Sequence, residues 1–200
     1  MKTNSQIREA ASLQLKGHYG SFVVVMLIYT LVAVVCSVIP TVGTLLSLLV
    51  NAPMGFALTM MALAFVRRGE EPTVGGLFQT FNGQWYIKAI WLQLLMAIYT
   101  LLWTLLLIVP GIVKAISYAM APYILIDNPE IGAEQAICRS MEMMNGHKMD
   151  YFLLALRYGI LAVLSILLLG IPLLWLVPYY QVAFTNFYLE LRGDRGEAAE

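Results

Sequence analysis

Residues 85–127 read WYIKAIWLQLLMAIYTLLWTLLLIVPGIVKAISYAMAPYILID. Between Lys88 and Asp127 the single charged side chain is Lys114. The hydrocarbon core of a bilayer takes about 20 apolar residues per helix, so this stretch can cross twice. Val109-Pro110-Gly111 is the natural turn between the two passes. The rest of the chain has the same character. Of its 200 residues 60% are hydrophobic and 12% charged, with a mean hydropathy of +0.76, against about 25% charged in an ordinary soluble domain. A disordered chain and a disulfide scaffold are excluded by that composition. The balance of 12 Lys+Arg against 12 Asp+Glu excludes a basic nucleic-acid binder. What remains is an all-α, polytopic membrane helix bundle.

Working outward, six stretches have the length and composition of spans, or nearly so: 22–39, 45–66, 85–109, 112–126, 151–169 and 173–191. Ile39-Pro40-Thr41-Val42-Gly43 and Gly170-Ile171-Pro172 punctuate the first and third pairs as Pro110 does the second. Three hairpins follow. Lys2, Arg8 and Lys16 precede span one, and Arg67, Arg68 and Lys88 lie around the junction of two and three. Arg139, Lys148 and Arg157 flank the start of five, and Arg192 and Arg195 follow six. Lys114 alone falls toward the opposite side, close enough to it to snorkel there. Basic residues collect on the cytoplasmic face, so both termini are expected in the cytoplasm. No cleavable signal is expected, because the first apolar run begins only at Phe22 and no small-residue cleavage site follows.

Each hairpin is preceded by a short segment of helical period that is too polar to span. The first places Ile7, Ala10, Ala11 and Leu15 on one side, and the second Val74, Leu77, Phe78 and Phe81. The third sets Ala133, Ala136, Ile137, Ser140, Met141 and Met144 against Glu134, Gln135, Arg139 and Glu142, with Asn128-Pro129 supplying its N-cap and N1 proline. Such helices are expected to lie in the headgroup plane. They end on Lys16-Gly17-His18, Asn82-Gly83-Gln84 and Asn145-Gly146-His147, each a glycine cap followed by interfacial aromatics. The second helix of every hairpin carries a proline: Pro53, Pro122 or Pro178. Three parallel copies of one unit are therefore expected in a single membrane domain, approximately 4–66, 73–126 and 129–191.

Catalytic chemistry is not visible. No H-E-x-x-H, G-x-S-x-G, P-loop or C-x-x-C occurs, so no enzyme activity, metal or cofactor is expected. Asp127, Glu130 and Glu134 read as helix-capping carboxylates rather than metal ligands. Cys36 and Cys138 fall on opposite faces and should not pair. His18 and His147 are either polar turn residues or a headgroup-contacting, pH-responsive pair. Polar groups inside spans are costly to bury. They gather on the proline-bearing helices as Asn51, Ser117, Tyr118, Tyr123, Tyr179, Tyr180, Gln181 and Asn186, with Arg157 on span five. Proline frees backbone carbonyls within a span, and these are tolerated where they meet protein or a polar cavity. The group is thus a candidate intramembrane site, or else hydrogen-bonded helix packing without a ligand. Arg157, about 9 Å beyond Tyr151 at helical rise, either snorkels to the headgroups or meets a phosphate.

Val109-Pro110-Gly111-Ile112-Val113-Lys114-Ala115 and Ser117-Tyr118-Ala119-Met120-Ala121-Pro122-Tyr123-Ile124-Leu125 resemble the hallmark stretch of a bacterial integral membrane family. It is domain-of-unknown-function family nine-seven-five. Asp127-Asn128-Pro129-Glu130, Met144-Asn145-Gly146-His147-Lys148 and Leu174-Trp175-Leu176-Val177-Pro178-Tyr179 continue the similarity, and Leu15-Lys16-Gly17-His18-Tyr19 extends it to the N-terminus. The resemblance implies a bacterial, multi-pass protein of the cytoplasmic membrane, and it carries no catalytic residue. Two functions fit the residues. One is a non-enzymatic scaffold or accessory subunit with a protein partner. The other is a small transporter or lipid-handling protein with its site between the proline-bearing helices. Membrane lipids are partners in either case, and nucleic acid in neither. The orientation has a direct test. Cys138 should react with an impermeant thiol reagent from the cytoplasmic side alone, and labelling from outside would reverse it.

Overall fold

A computed structural model describes residues 3–37, 43–81, 83–167, 170 and 172–193. The expected turn at Pro40-Thr41-Val42, together with Lys2, Asn82, Ile171 and Arg195, lies outside them. All regular structure among the described residues is helical: α1 Asn4–Leu15, α2 Tyr19–Ser37, α3 Gly43–Arg68, α4 Val74–Phe78 with a 3-10 turn Gln79–Phe81, α5 Gln84–Leu106, α6 Ile108–Tyr118, α7 Ala121–Asp127, α8 Ala133–Met143, α9 Lys148–Leu167 and α10 Leu173–Arg192. Among these residues four helical stretches are long and apolar enough to cross a membrane: Leu49–Arg68, Gln84–Leu106, Ile108–Asp127 and Lys148–Ile166. The α1–α2 pair, bent by 97°, makes a fifth if counted as one span.

α10 has the length to cross, 20 residues, but not the apolar composition. Its position explains this. It packs against α1, α2, α3 and α9, and Val182 through Leu189 are all buried. A helix sheathed by other helices can carry Gln181, Thr185 and Asn186. α5 and α9 show the reverse, with only 17% of each span buried and Ile87, Leu101, Leu105, Leu153, Ile160 and Val163 turned outward. Their outer faces suit lipid; α10 suits protein.

The second hairpin departs from the expected turn. α5 ends at Leu106, Leu107 is extended (φ −159°), and α6 already begins at Ile108. Pro110 and Gly111 therefore belong to the first turn of α6. Proline is tolerated there because its missing N–H would have had no helical partner. Gly111 lets the two helices touch, since a Cβ would fall 2.3 Å from Thr104 Oγ1. α6 and α7 are separated at Ala119–Met120, and Pro122 stands in the first turn of α7. The N-cap of α8 is Gly132, not Asn128. Asn128 caps the end of α7 instead, its Nδ2 donating to the Ile124 carbonyl at 3.0 Å, because the chain needs a stop for α7 before it can start α8.

The short polar helices dock on the longer ones. Each one reaches a proline-bearing helix near its proline. Thr80, after α4, is fully buried and donates to the Pro53 carbonyl at 2.7 Å. Pro53 is 15 residues from Arg68, so this contact lies about 22 Å along α3. In α8 the Ser140 hydroxyl donates to the Ser117 carbonyl at 2.7 Å and accepts from the Met120 N–H at 3.1 Å, bridging the α6–α7 break. The Arg8 carbonyl of α1 accepts from the Tyr179 hydroxyl at 3.0 Å, beside Pro178. Asn186 Nδ2 of α10 donates to Gln14 Oε1 of α1 at 2.9 Å. The amphipathic pattern explains the docking of α1 and α8: Ile7, Ala11 and Leu15 are fully buried, as are Ala136 and Ser140, while Glu134, Gln135, Arg139 and Glu142 stay exposed; in α4 only Leu77 is buried, and Val74 and Phe78, expected on the same side, are exposed.

Gly17, Gly83 and Gly146, the turn glycines beside these helices, have φ of 93°, 76° and 84°, a region closed to most side chains. Removing the hydroxyl that spans the α6–α7 break should be costly. Ser140→Ala leaves a buried carbonyl and N–H without it, at about 1–3 kcal/mol. Unfolding by mixed micelles measures this; a loss under about 0.5 kcal/mol would show the break to be held by apolar packing alone.

Candidate functional site

A cavity of about 480 Å³ lies against the middle of α3. Asn51, Ala52, Gly55, Phe56 and Thr59 line it from α3, Tyr29 from α2, Ala89, Leu92 and Gln93 from α5, and Pro122 from α7. Its polar groups are two carboxamides, a phenol and a threonine hydroxyl, the last donating to the Gly55 carbonyl at 3.0 Å. Among the described residues none that lines it is charged. Such a site can give and accept hydrogen bonds but supplies no counter-charge. Pro122 stands in the first turn of α7 at this wall, and Pro53 lies inside α3 next to Ala52.

Of the residues proposed from the sequence, Asn51 and Pro122 meet at this cavity. The rest are placed elsewhere. Ser117 donates to the Val113 carbonyl at 2.7 Å and is fully buried. Tyr118 is buried beside the Tyr99 ring, 6.3 Å between centroids. Tyr123 stacks on Tyr188 at 5.0 Å. Tyr179 and Asn186 hold α1, as described above. Tyr180 packs edge-on to Tyr158 and Phe184, each at 4.3 Å, and the Gln181 carbonyl accepts from Thr185 at 2.9 Å. Tyr123, Tyr179, Tyr180, Gln181 and Asn186 make helix packing around α10, while Ser117 and Tyr118 pack on α6 and α5. Arg157 points away from the bundle. It is exposed on the outer face of α9 among Leu153, Leu156, Ile160 and Leu161, with no hydrogen bond or ion pair among the described residues. Lys114 does not reach outward either: its amine lies 3.7 Å from Met141 Sδ and 4.8 Å from the Trp103 ring centroid. A half-buried ammonium without a carboxylate is drawn to the π face nearest it.

A second polar centre joins helix ends. Asp127, whose side chain is 5% exposed, takes both guanidinium nitrogens of Arg67 at 2.7 and 2.8 Å. Tyr188 donates to its Oδ2 at 2.6 Å, and Arg192 also bonds that oxygen. One carboxylate thus ties the ends of α3, α7 and α10, the three proline-bearing arms. At the α1–α2 junction His18 Nδ1 lies 2.7 Å from Glu71 Oε1, and Ser21 donates to Oε2 at 2.7 Å. The Ser21 hydroxyl, and after it His18, hold the exposed Glu71 carboxyl below the usual carboxylate range. A depressed carboxylate stabilises at neutral pH, and its tie is lost as pH falls through that lowered value. His147 makes a looser contact, 3.8 Å to Asp150. No group of metal-ligating side chains occurs among the described residues.

The sequence profile of the family described as "Protein of unknown function (DUF975)" matches residues 1–118 and 105–195. The chain belongs to the DUF975 family. No curated protein and no solved structure matches it.

In this DUF975 chain Tyr29, Gly55, Thr59 and Gln93 escape a search organised around prolines. Gln93 carries the most legible signal, a carboxamide nine residues into α5 with apolar neighbours. Arg67, Asp127 and Arg192 escape it too, since each reads by itself as an ordinary helix-end charge. Asp127→Ala would leave two arginines facing one another without their carboxylate. The cost should be about 2–4 kcal/mol, below the fully buried limit because both guanidinium groups are partly exposed. Unfolding measurements on Asp127→Ala and on Asp127→Ala/Arg67→Ala check it. The double variant should be less than additive, and strict additivity would mean the pair is uncoupled.

Proposed function

We propose that the chain is a non-enzymatic, six-span bundle of the bacterial cytoplasmic membrane, with both termini inside, that binds a small ligand between its proline-bearing helices. The cavity at Asn51 carries this reading. It joins polar groups to apolar walls midway along helices, where transporters and lipid-handling proteins place their sites. α10 would be the sixth span, screened from lipid by α1, α2, α3 and α9.

The three-unit organisation is part of the same proposal. The polar helix of unit two serves the proline helix of unit one, through Thr80 and Pro53. Unit three serves unit two through Ser140 and Ser117, and unit one serves unit three through Arg8 and Tyr179. Each unit leans on the next and the last on the first. Asp127 then gathers the three ends on the basic, cytoplasmic side. A scaffold without ligand is the competing reading, favoured by how many of the α10 polar groups are used in internal packing.

Gly55→Leu separates the two. A Cβ at Gly55 would meet nothing within 4 Å, so the larger side chain fills the cavity, while leucine also favours helix by about 0.8 kcal/mol over glycine. Native mass spectrometry from mild detergent should find a small molecule or lipid on the parent protein and none on the variant, with the variant at least as stable. Equal retention by both, or a bare parent protein associated with a stoichiometric protein partner, supports the scaffold instead.

A further inference from the structure

From Tyr151 through Leu189 the chain holds one charged side chain, Arg157. It is exposed on the outer face of α9, whose span is only 17% buried, and its guanidinium meets no carboxylate among the described residues. Counted along α9 it lies near the middle, nine residues after Lys148 and ten before Leu167. Its neighbours place it nearer the edge of the bilayer. Tyr158, the next residue, packs on Tyr179 with 5.6 Å between ring centroids, and the Tyr179 hydroxyl donates to the Arg8 carbonyl of α1 at 3.0 Å. Asn4 Nδ2, also of α1, donates to the Asp150 carbonyl in the first turn of α9 at 2.9 Å. α1 is therefore level with the first turns of α9, as far as Arg157. Because α1 exposes Glu9 and Lys16, which hydrocarbon does not accept, the hydrocarbon begins beyond it and Arg157 stands at that boundary.

We propose that Arg157 and the cleft beside it seat an anionic phospholipid, with its phosphate on the guanidinium and an acyl chain along α9. The proposal rests on α9 being a lipid-facing span of the bundle proposed above and is independent of the cavity at Asn51. Helical side chains lean toward the start of their helix, so the guanidinium is carried toward the headgroups. Its planar fork matches two phosphate oxygens at once. Leu153, Leu156, Ile160 and Leu161 wall a cleft of about 300 Å³ around its stem, an apolar bed for the chain that follows the phosphate into the bilayer. Charge then selects among lipids. Phosphatidylcholine balances its phosphate with its own ammonium, whereas phosphatidylglycerol leaves a net negative charge for the arginine. A second copy of this chain fits the face poorly. α9 against α9 would set two arginines together, and α5 and α9 hold between them one carboxylate, Asp150, in the first turn of α9.

The test places the full chain in phosphatidylcholine nanodiscs with a trace of phosphatidylglycerol or phosphatidylcholine that carries a diazirine in one acyl chain. After photolysis, peptide mass spectrometry maps the label on residues 152–166. On the parent protein the glycerol lipid should label this segment about fivefold more than the choline lipid, the preference that one basic residue near a membrane surface supplies. Arg157→Gln should abolish that preference. Arg157→Lys should retain part of it, because the ammonium keeps the charge and loses the fork. Neither substitution removes an internal contact, so thermal unfolding in the same nanodiscs should be unchanged. Gly55→Leu, which fills the cavity, should keep the parent's preference.

Equal labelling of the parent by the two lipids, or a preference that survives Arg157→Gln, would overturn the proposal. So would its loss in Gly55→Leu, which would assign the label to the cavity. A parent protein extracted from its own membrane with a stoichiometric membrane protein that Arg157→Gln loses, and without lipid preference, would mean that the arginine answers a partner's carboxylate and not a phosphate. Labelling of residues 152–166 by neither lipid takes α9 off the lipid face and removes the proposal with it. The cavity at Asn51 stands or falls separately, on the native mass spectra of the parent and Gly55→Leu.

Discussion

A proline inside a long apolar helix removes a backbone donor and leaves a carbonyl with no helical partner. In apolar surroundings such a group costs several kcal/mol unless something reaches it. Pro53 and Pro178 lie inside α3 and α10, whereas Pro122 stands in the first turn of α7, and one hydroxyl contact lies within a few residues of each. Thr80, Ser140 and Tyr179 place hydroxyls there, each linking a short polar segment to a neighbouring helix. These hydroxyls also decide where α4, α8 and α1 dock. A helix whose apolar face is only one side wide would otherwise be free to slide on its neighbour; a single directed hydrogen bond sets its register.

Helix ends are held by a different force. Asp127 is nearly excluded from solvent yet meets Arg67, Arg192 and Tyr188, so its charge is compensated on several sides. The desolvation that would make a lone aspartate intolerable makes this one a strong junction. Together the hydroxyl contacts and the ion cluster leave α10 surrounded by protein, and that accounts for a composition too polar for a lipid-facing helix. The cavity, in turn, exists where this packing has a gap at Gly55.

Much of the architecture was legible. Long apolar runs, the hairpin tip near Pro110 and the amphipathic face of α8 follow from composition and period, because burial of apolar groups and satisfaction of backbone bonds act along the chain. The hairpin turn was displaced by three residues, since a proline in a first helical turn looks in sequence like a proline in a loop. The capping role of Asn128 was read forward to α8 when it belongs back to α7. Among site residues Asn51 and Pro122 were readable, being polar or helix-breaking groups inside spans. Gly55 was not, for a missing side chain signals nothing until its neighbours are known.

By itself the sequence determined that this is a helical chain with several stretches able to cross a membrane and that it belongs with DUF975, because hydropathy and motif are properties of residues in order. Only the tertiary structure decided which element each polar group meets. Tyr179 and Asn186 went to α1, Arg157 to the outer face, and Asn51 to a cavity with Gln93. The physical reason is that a hydrogen-bonding group is defined by its partner, and the partners here lie as many as 172 residues away.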